Sequence, residues 1–91
     1  MAIRIYKYTV SERGERGKFT IELPKDSMLL QANLQYGKVV VWAEVFDKEL
    51  EMVSRTFHVL WTGDEVPEGL IYLNTFKEMG SSLIYHVYEE I

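Results

Sequence analysis

No cysteine occurs among the 91 residues. The chain therefore has no disulfide frame, no thiolate zinc site and no thiol nucleophile, and its stability has to come from packing, which fits a reducing compartment. Positive charge is scarce as well: 10 Lys and Arg stand against 14 Asp and Glu, for a net charge of -4. A general nucleic-acid or anionic-membrane surface needs clustered cations that release counterions, so neither is the expected partner. No apolar run reaches the roughly 18 to 20 residues that span a bilayer. Charge interrupts the start, Met1-Ala2-Ile3-Arg4-Ile5-Tyr6-Lys7, where a signal peptide would be apolar. The expectation is a cytoplasmic protein. Three catalytic or ligand signatures are missing too: the HxH and HExxH spacings of zinc sites, the GxSxG elbow of a serine nucleophile and the GxxxxGK[ST] phosphate loop.

What is present is apolar and β-branched. A chain of this length buries only about two-thirds of its unfolded surface, so most of its 47% hydrophobic residues are committed to one core. Alternation of period 2 prevails over the helical period. Residues 2–10 read as a first strand, closed by the polar stretch Ser11 to Gly17. Residues 18–23 alternate, with Phe19, Ile21 and Leu23 on one face, and Pro24 ends the strand because it cannot donate to a ladder. From 28 to 36, Leu30, Ala32, Leu34 and Tyr36 form the apolar face; a short helix starting over 26–32 is the other reading, with Asp26 and Ser27 as caps. Val39 to Phe46 is apolar on both faces and is the candidate central strand. The strand at 52–61 puts Val53, Phe57, Val59 and Trp61 on one face with Arg55. After the Gly- and Pro-bearing loop 62–69, residues 70–76 and 83–88 flank a turn at Met79 to Ser82. The spacing suggests a meander of hairpins. The expected fold is all-β or strongly β-rich, a small antiparallel sandwich or partly closed barrel of about seven short strands in one domain over 1–91.

Few residues suggest chemistry. His58 and His86 lie on different strands, and a metal enzyme would need both plus a carboxylate such as Asp64 or Glu89; the alternative is that each hydrogen-bonds on a half-buried face. Ser54, His58 and Asp64 are the residues a hydrolytic triad would use. The stretch Arg13-Gly14-Glu15-Arg16-Gly17-Lys18 combines glycine-freed amides with cations, which suits an anion, or is a solvated hairpin loop. Trp61, Arg55 and Thr62-Gly63, if on one rim, supply a stacking plane, a bidentate donor and free amides for a nucleotide-like anion. Ligand-binding candidates are thus Arg13, Arg16, Arg55, Trp61, Thr62 and Gly63; no cofactor is called for. Tyr6, Tyr8, Tyr85 and Tyr88 on the terminal strands favour a homo-oligomer through an exposed sheet edge or face.

Ile5-Tyr6-Lys7-Tyr8, Ile21-Glu22-Leu23-Pro24-Lys25, Trp42-Ala43, Arg55-Thr56-Phe57, Thr62-Gly63, Tyr72-Leu73 with Thr75-Phe76, and His86-Val87-Tyr88-Glu89 follow one another in the order of a known pattern. The chain resembles, over nearly its whole length, a family of short uncharacterised bacteriophage proteins, a domain of unknown function. Where that family often carries histidine after the Thr-Gly pair, this chain has Asp64, and its RGERG segment lengthens a hairpin. The resemblance implies a phage context, in which small accessory proteins act mostly by binding something in the host cytoplasm. The functional expectation is a non-enzymatic accessory protein that blocks a host protein or sequesters a nucleotide-like defence signal. The alternatives are a minor virion or assembly component, and a small hydrolase or metal enzyme using His58 or His86.

Overall fold

The structure, a computed structural model, describes residues 2–10, 17–35, 38–77, 80 and 82–91. Its strands are β1 (Ile3–Thr9), β2 (Lys18–Pro24), β3 (Met28–Gln35), β4 (Lys38–Phe46), β5 (Met52–Trp61), β6 (Leu70–Lys77) and β7 (Ile84–Glu90). No α-helix occurs among the described residues, and so none long and apolar enough to cross a membrane. Three strands form one sheet in the order β1-β4-β3 and four form another in the order β2-β5-β7-β6, all pairs antiparallel. The two sheets are packed face to face and are not closed into a barrel.

The expected meander is only partly present. Consecutive strands pair in the β3/β4 and β6/β7 hairpins, whereas β1 pairs with β4, β2 with β5 and β5 with β7. The cause lies in β4. Val39, Val40, Val41, Ala43 and Val45 are all buried, so this strand needs a neighbour on each side and cover on both faces. It takes β1 as well as β3. On the inner side Val39 and Val41 join Ala32 against Phe19, Phe57, Val59, Phe76, Tyr85 and Val87 of the other sheet. Phe19 stacks on Phe57 at 5.2 Å and Phe76 on Tyr85 at 5.4 Å. Burying a side chain such as Phe57 contributes about 1.5–3 kcal/mol. On the outer side Val40 lies on β4 between the partners of Lys7 and Gln35. Lys7 Nζ donates to Gln35 Oε1 at 3.1 Å across the strand, which accounts for the burial of Val40.

Two local readings are corrected. The helix considered over 26–32 does not form: Asp26 takes a left-handed φ of 64°, and the Ser27 hydroxyl donates back to the Pro24 carbonyl at 2.6 Å, where a helix cap would accept from amides ahead of it. In β3 the pairing with β4 slips between Leu29 and Gln31. This bulge puts Leu29, opposite Ala43, on the same face as Ala32, opposite Val41. Leu29 therefore packs against the core, while Leu30, expected inside, is exposed.

A second bulge lies in β6 between Tyr72 and Asn74. It places Asn74 opposite Val87, on the inner face. There Asn74 Oδ1 accepts from the Ala32 amide at 2.7 Å, and Asn74 Nδ2 donates to the Ala32 carbonyl at 2.9 Å. One side-chain amide thus bonds the backbone of the opposite sheet as a neighbouring strand would.

Candidate functional site

A concavity with convergent polar groups lies between the sheets where β3 and β6 begin. It is an open cleft of about 460 Å³, walled by Met28, Leu29, Ile71, Tyr72 and Leu73, with Asp26, Ser27, Arg55 and Glu89 as its polar lining. Mostly apolar walls with a few placed polar groups are the usual make-up of a small-ligand site, and the volume falls within the roughly 300–1,000 Å³ of such sites. Arg55 points inward because it follows the parity of Phe57 and Val59 along β5. Its guanidinium meets Glu89 through two parallel bonds, Nε to Oε2 at 2.5 Å and Nη2 to Oε1 at 2.7 Å, and Nη1 donates to the Ser27 carbonyl at 2.6 Å. The two side chains are 24% and 17% exposed. A planar fork holding a carboxylate in this way is the geometry by which arginine holds carboxylates and phosphates generally.

A second cleft, of about 210 Å³, lies at the far end of β5 and is lined by Leu60, Trp61, Thr62, Gly63, Asp64, Val66, His86 and Tyr88. Gly63 supplies a φ of +99°, which lets the chain turn directly after Trp61. Asp64 closes that turn. Its Oδ2 accepts from the Trp61 amide at 2.8 Å, and its own amide donates to the Trp61 carbonyl at 3.0 Å. The Trp61 ring rests on Tyr85 at 4.6 Å and is half-exposed. Both nitrogens of His86 are engaged, Nε2 with the Thr62 hydroxyl and Nδ1 with that of Thr75, each at 2.9 Å; Thr75 in turn meets the Tyr72 hydroxyl at 2.8 Å.

The structure therefore brings together Trp61, Thr62 and Gly63 but places Arg55 elsewhere. Six residues of extended β5 separate Arg55 from Trp61, about 20 Å at the usual strand rise, so the single rim expected to join them is not formed. Arg13 and Arg16 lie outside the described residues. The triad candidates are engaged separately: Ser54 donates to Glu22, His58 Nε2 to Glu90 Oε1 at 2.8 Å, and Asp64 accepts from Trp61. Among the described residues no group of three or more histidines and carboxylates is placed to hold a metal ion. Lys18 also reaches Glu90 Oε1, at 3.1 Å. Those two donors, His58 first, hold the Glu90 carboxyl below its ordinary range.

The pattern of one protein family matches residues 1–91, the full chain: a domain of unknown function, DUF7352. The chain belongs to that family. No curated protein and no solved structure matches it. In the DUF7352 chain these two clefts thus lie toward opposite ends of β5. Sequence reasoning found the Trp61 cleft because an aromatic residue before a Thr-Gly turn marks a strand end, and it found Arg55 as a charge on an apolar face. It missed Glu89 and Ser27 as neighbours of Arg55. Glu89 was the one with a signal, since a carboxylate on the apolar parity of Tyr85 and Val87 is the natural partner of an inward arginine.

Proposed function

We propose that this DUF7352 domain is a non-enzymatic phage accessory protein that sequesters a nucleotide-like molecule in the cleft around Arg55. The observation that carries the reading is the Arg55 fork on the floor of that cleft, already holding the two oxygens of Glu89. The Glu89 carboxylate stands where a ligand's oxyanion would sit. A phosphate group exchanges with it on the guanidinium, and Met28, Leu29, Ile71 and Leu73 exclude water around the pair.

Glu89 competes with such a ligand, and that makes the reading testable without removing the arginine. Glu89→Gln leaves a neutral acceptor beside Arg55 and frees the guanidinium charge. Calorimetric titration with a panel of mono-, di- and cyclic nucleotides, and with the matching uncharged nucleosides, is the measurement. Glu89→Gln is expected to bind the best nucleotide about tenfold more tightly than wild type, with the nucleoside affinity unchanged, and Arg55→Lys to lose that gain because an ammonium lacks the fork. No nucleotide binding by either protein, or equal binding by both, overturns the reading.

A further inference from the structure

The strands at the margins of the two sheets are β1, β3, β2 and β6, and three of them carry a feature that interrupts further pairing. The β3 ladder slips between Leu29 and Gln31, and its outward groups at Ala32 are taken by Asn74. The β6 ladder slips between Tyr72 and Asn74. On β2, Pro24 faces the open side, where it has no N–H to offer. Bulges, proline and side-chain cover are the means by which sheet edges are kept from pairing. β1 has none of them, and its residues pair with β4 in one unbroken register. The Val10 amide donates to the Val39 carbonyl and the Asp47 amide to the Ala2 carbonyl. The even-numbered residues of this strand therefore bond β4, and Ile3, Ile5, Lys7 and Thr9 turn their N–H and C=O groups to the open edge. No described residue bonds those groups. Charges on an edge are a further guard, but Lys7 reaches across β4 to Gln35 and Arg4 reaches Asp47 just past the end of β4, both away from the open side. What β1 presents there is Ile3, 58% exposed, Ile5, 63%, and Tyr6, 47%.

The register of these groups singles out the occupant. Two identical strands paired antiparallel about a two-fold axis satisfy their outward groups when each odd-numbered residue meets another odd-numbered residue. With the axis at Tyr6, Ile3 meets Thr9 of the second copy, Ile5 meets Lys7, Arg4 meets Tyr8, and the two Tyr6 rings stand opposite each other. All the outward residues of β1 are then paired, in about eight backbone bonds, and no like charges are opposed. An axis at Lys7 sets Lys7 directly against itself, which is unfavourable, and an axis at Ile5 leaves Thr9 beyond the end of the other strand. Length, parity and charge thus agree on one register of β1 with itself, whereas a foreign segment shares only the backbone bonds. We infer that the domain forms a two-fold dimer in which β1 pairs with β1 of a second copy about Tyr6, joining two three-stranded sheets into one continuous sheet. Such a dimer does not depend on the ligand proposed for the Arg55 cleft.

Sedimentation equilibrium at micromolar concentration tests it. The wild-type chain is expected to be a dimer. Tyr6→Lys and Tyr6→Glu each set like charges together at the axis and are expected to weaken the dimer by about tenfold or more. An equimolar mixture of the two variants is expected to associate again, as pairs of one Tyr6→Lys and one Tyr6→Glu chain that native mass spectrometry distinguishes by mass. Only a contact of residue 6 with its own copy predicts that rescue, and circular dichroism of each variant separates loss of dimer from loss of fold. A monomeric wild-type chain overturns the inference. So does a dimer whose constant both variants leave unchanged, because that dimer uses another surface, and so does a mixture that associates no better than either variant alone.

Discussion

At the scale of single residues, Asn74 carries more than its size suggests. Its amide supplies an acceptor and a donor to Ala32, a residue with no exposed surface, and so satisfies two backbone groups that face away from water. Asn74→Ala leaves both without that partner, and each buried group left unpaired costs about 1–3 kcal/mol. The expected result is a lower midpoint of urea unfolding with an unchanged slope; a shift smaller than that of an exposed control such as Thr75→Ala would show that the clamp contributes nothing. Glu90 gives a prediction in pH. Its carboxyl is held below the ordinary value of 4.5, first by the hydrogen bond from His58 and then by Lys18. The unfolded chain therefore takes up this proton more readily than the folded one, so the stabilisation is complete above about pH 4.5 and is lost as the pH falls through the lowered folded value. Glu90→Gln is expected to melt with a flatter acid limb than wild type, and coincident limbs in thermal scans from neutral to acid pH would refute the assignment. Tyr8 shows the opposite displacement: half-burial, with Tyr6 adding to it, lifts its phenol above the ordinary value.

At the scale of elements, Gly17 is the residue on which the start of β2 depends. It has a φ of +73°, and a β-carbon built there would come within 2.6 Å of the Val59 carbonyl oxygen. Gly63 has a comparable left-handed φ of +99° but open space around it. Gly17→Ala is expected to destabilise the domain by more than about 1 kcal/mol, because it adds a clash to the backbone strain, and Gly63→Ala by clearly less; denaturant titration of the two variants side by side decides it, and equal losses would mean that β5 yields freely at Val59. All seven strands were legible in the sequence, nearly to the residue, because most have one face in a thin core and so alternate. β4 was legible as central because it does not alternate. The bulges at Leu30 and Leu73 were not. An inserted residue leaves no mark in composition, and with Leu29 and Leu30 both apolar either one satisfies the pattern. Partner choice was hidden for a related reason: alternation states which face is buried but not which strand lies alongside. Arg55 could therefore be named while its seat beside Glu89, set by the β5/β7 register, could not.

At the scale of the whole molecule, the flat body of 42 × 30 × 19 Å has its two kinds of exposed feature side by side. Met28 belongs to both the wall of the Arg55 cleft and the outer face of β1-β4-β3. The sequence alone pointed to self-association through tyrosines on the terminal strands. Of those tyrosines Tyr85 is buried, Tyr8 and Tyr88 are half-buried, and Tyr6 keeps 47% of its surface exposed although it takes the inward parity of β1 opposite Ala43.

The pairing of β1 with β4, Ile3 against Phe46, bears on how the chain is made. On a ribosome β1 emerges before β4 and does not meet this partner until β4 has been synthesised. At about 5–20 residues per second that interval is on the order of several seconds. Throughout it the segment carrying Ile3, Ile5, Tyr6 and Tyr8 lacks the strand it pairs with in the folded protein, and unpaired apolar strand segments are the ones prone to adhere to one another. Arg4 and Lys7 interrupt that strand, one on each face by parity. In the folded protein their bonds to Asp47 and Gln35 are exposed and contribute little to stability; charges that break an apolar strand in this way are the pattern by which unpaired strands are kept from adhering.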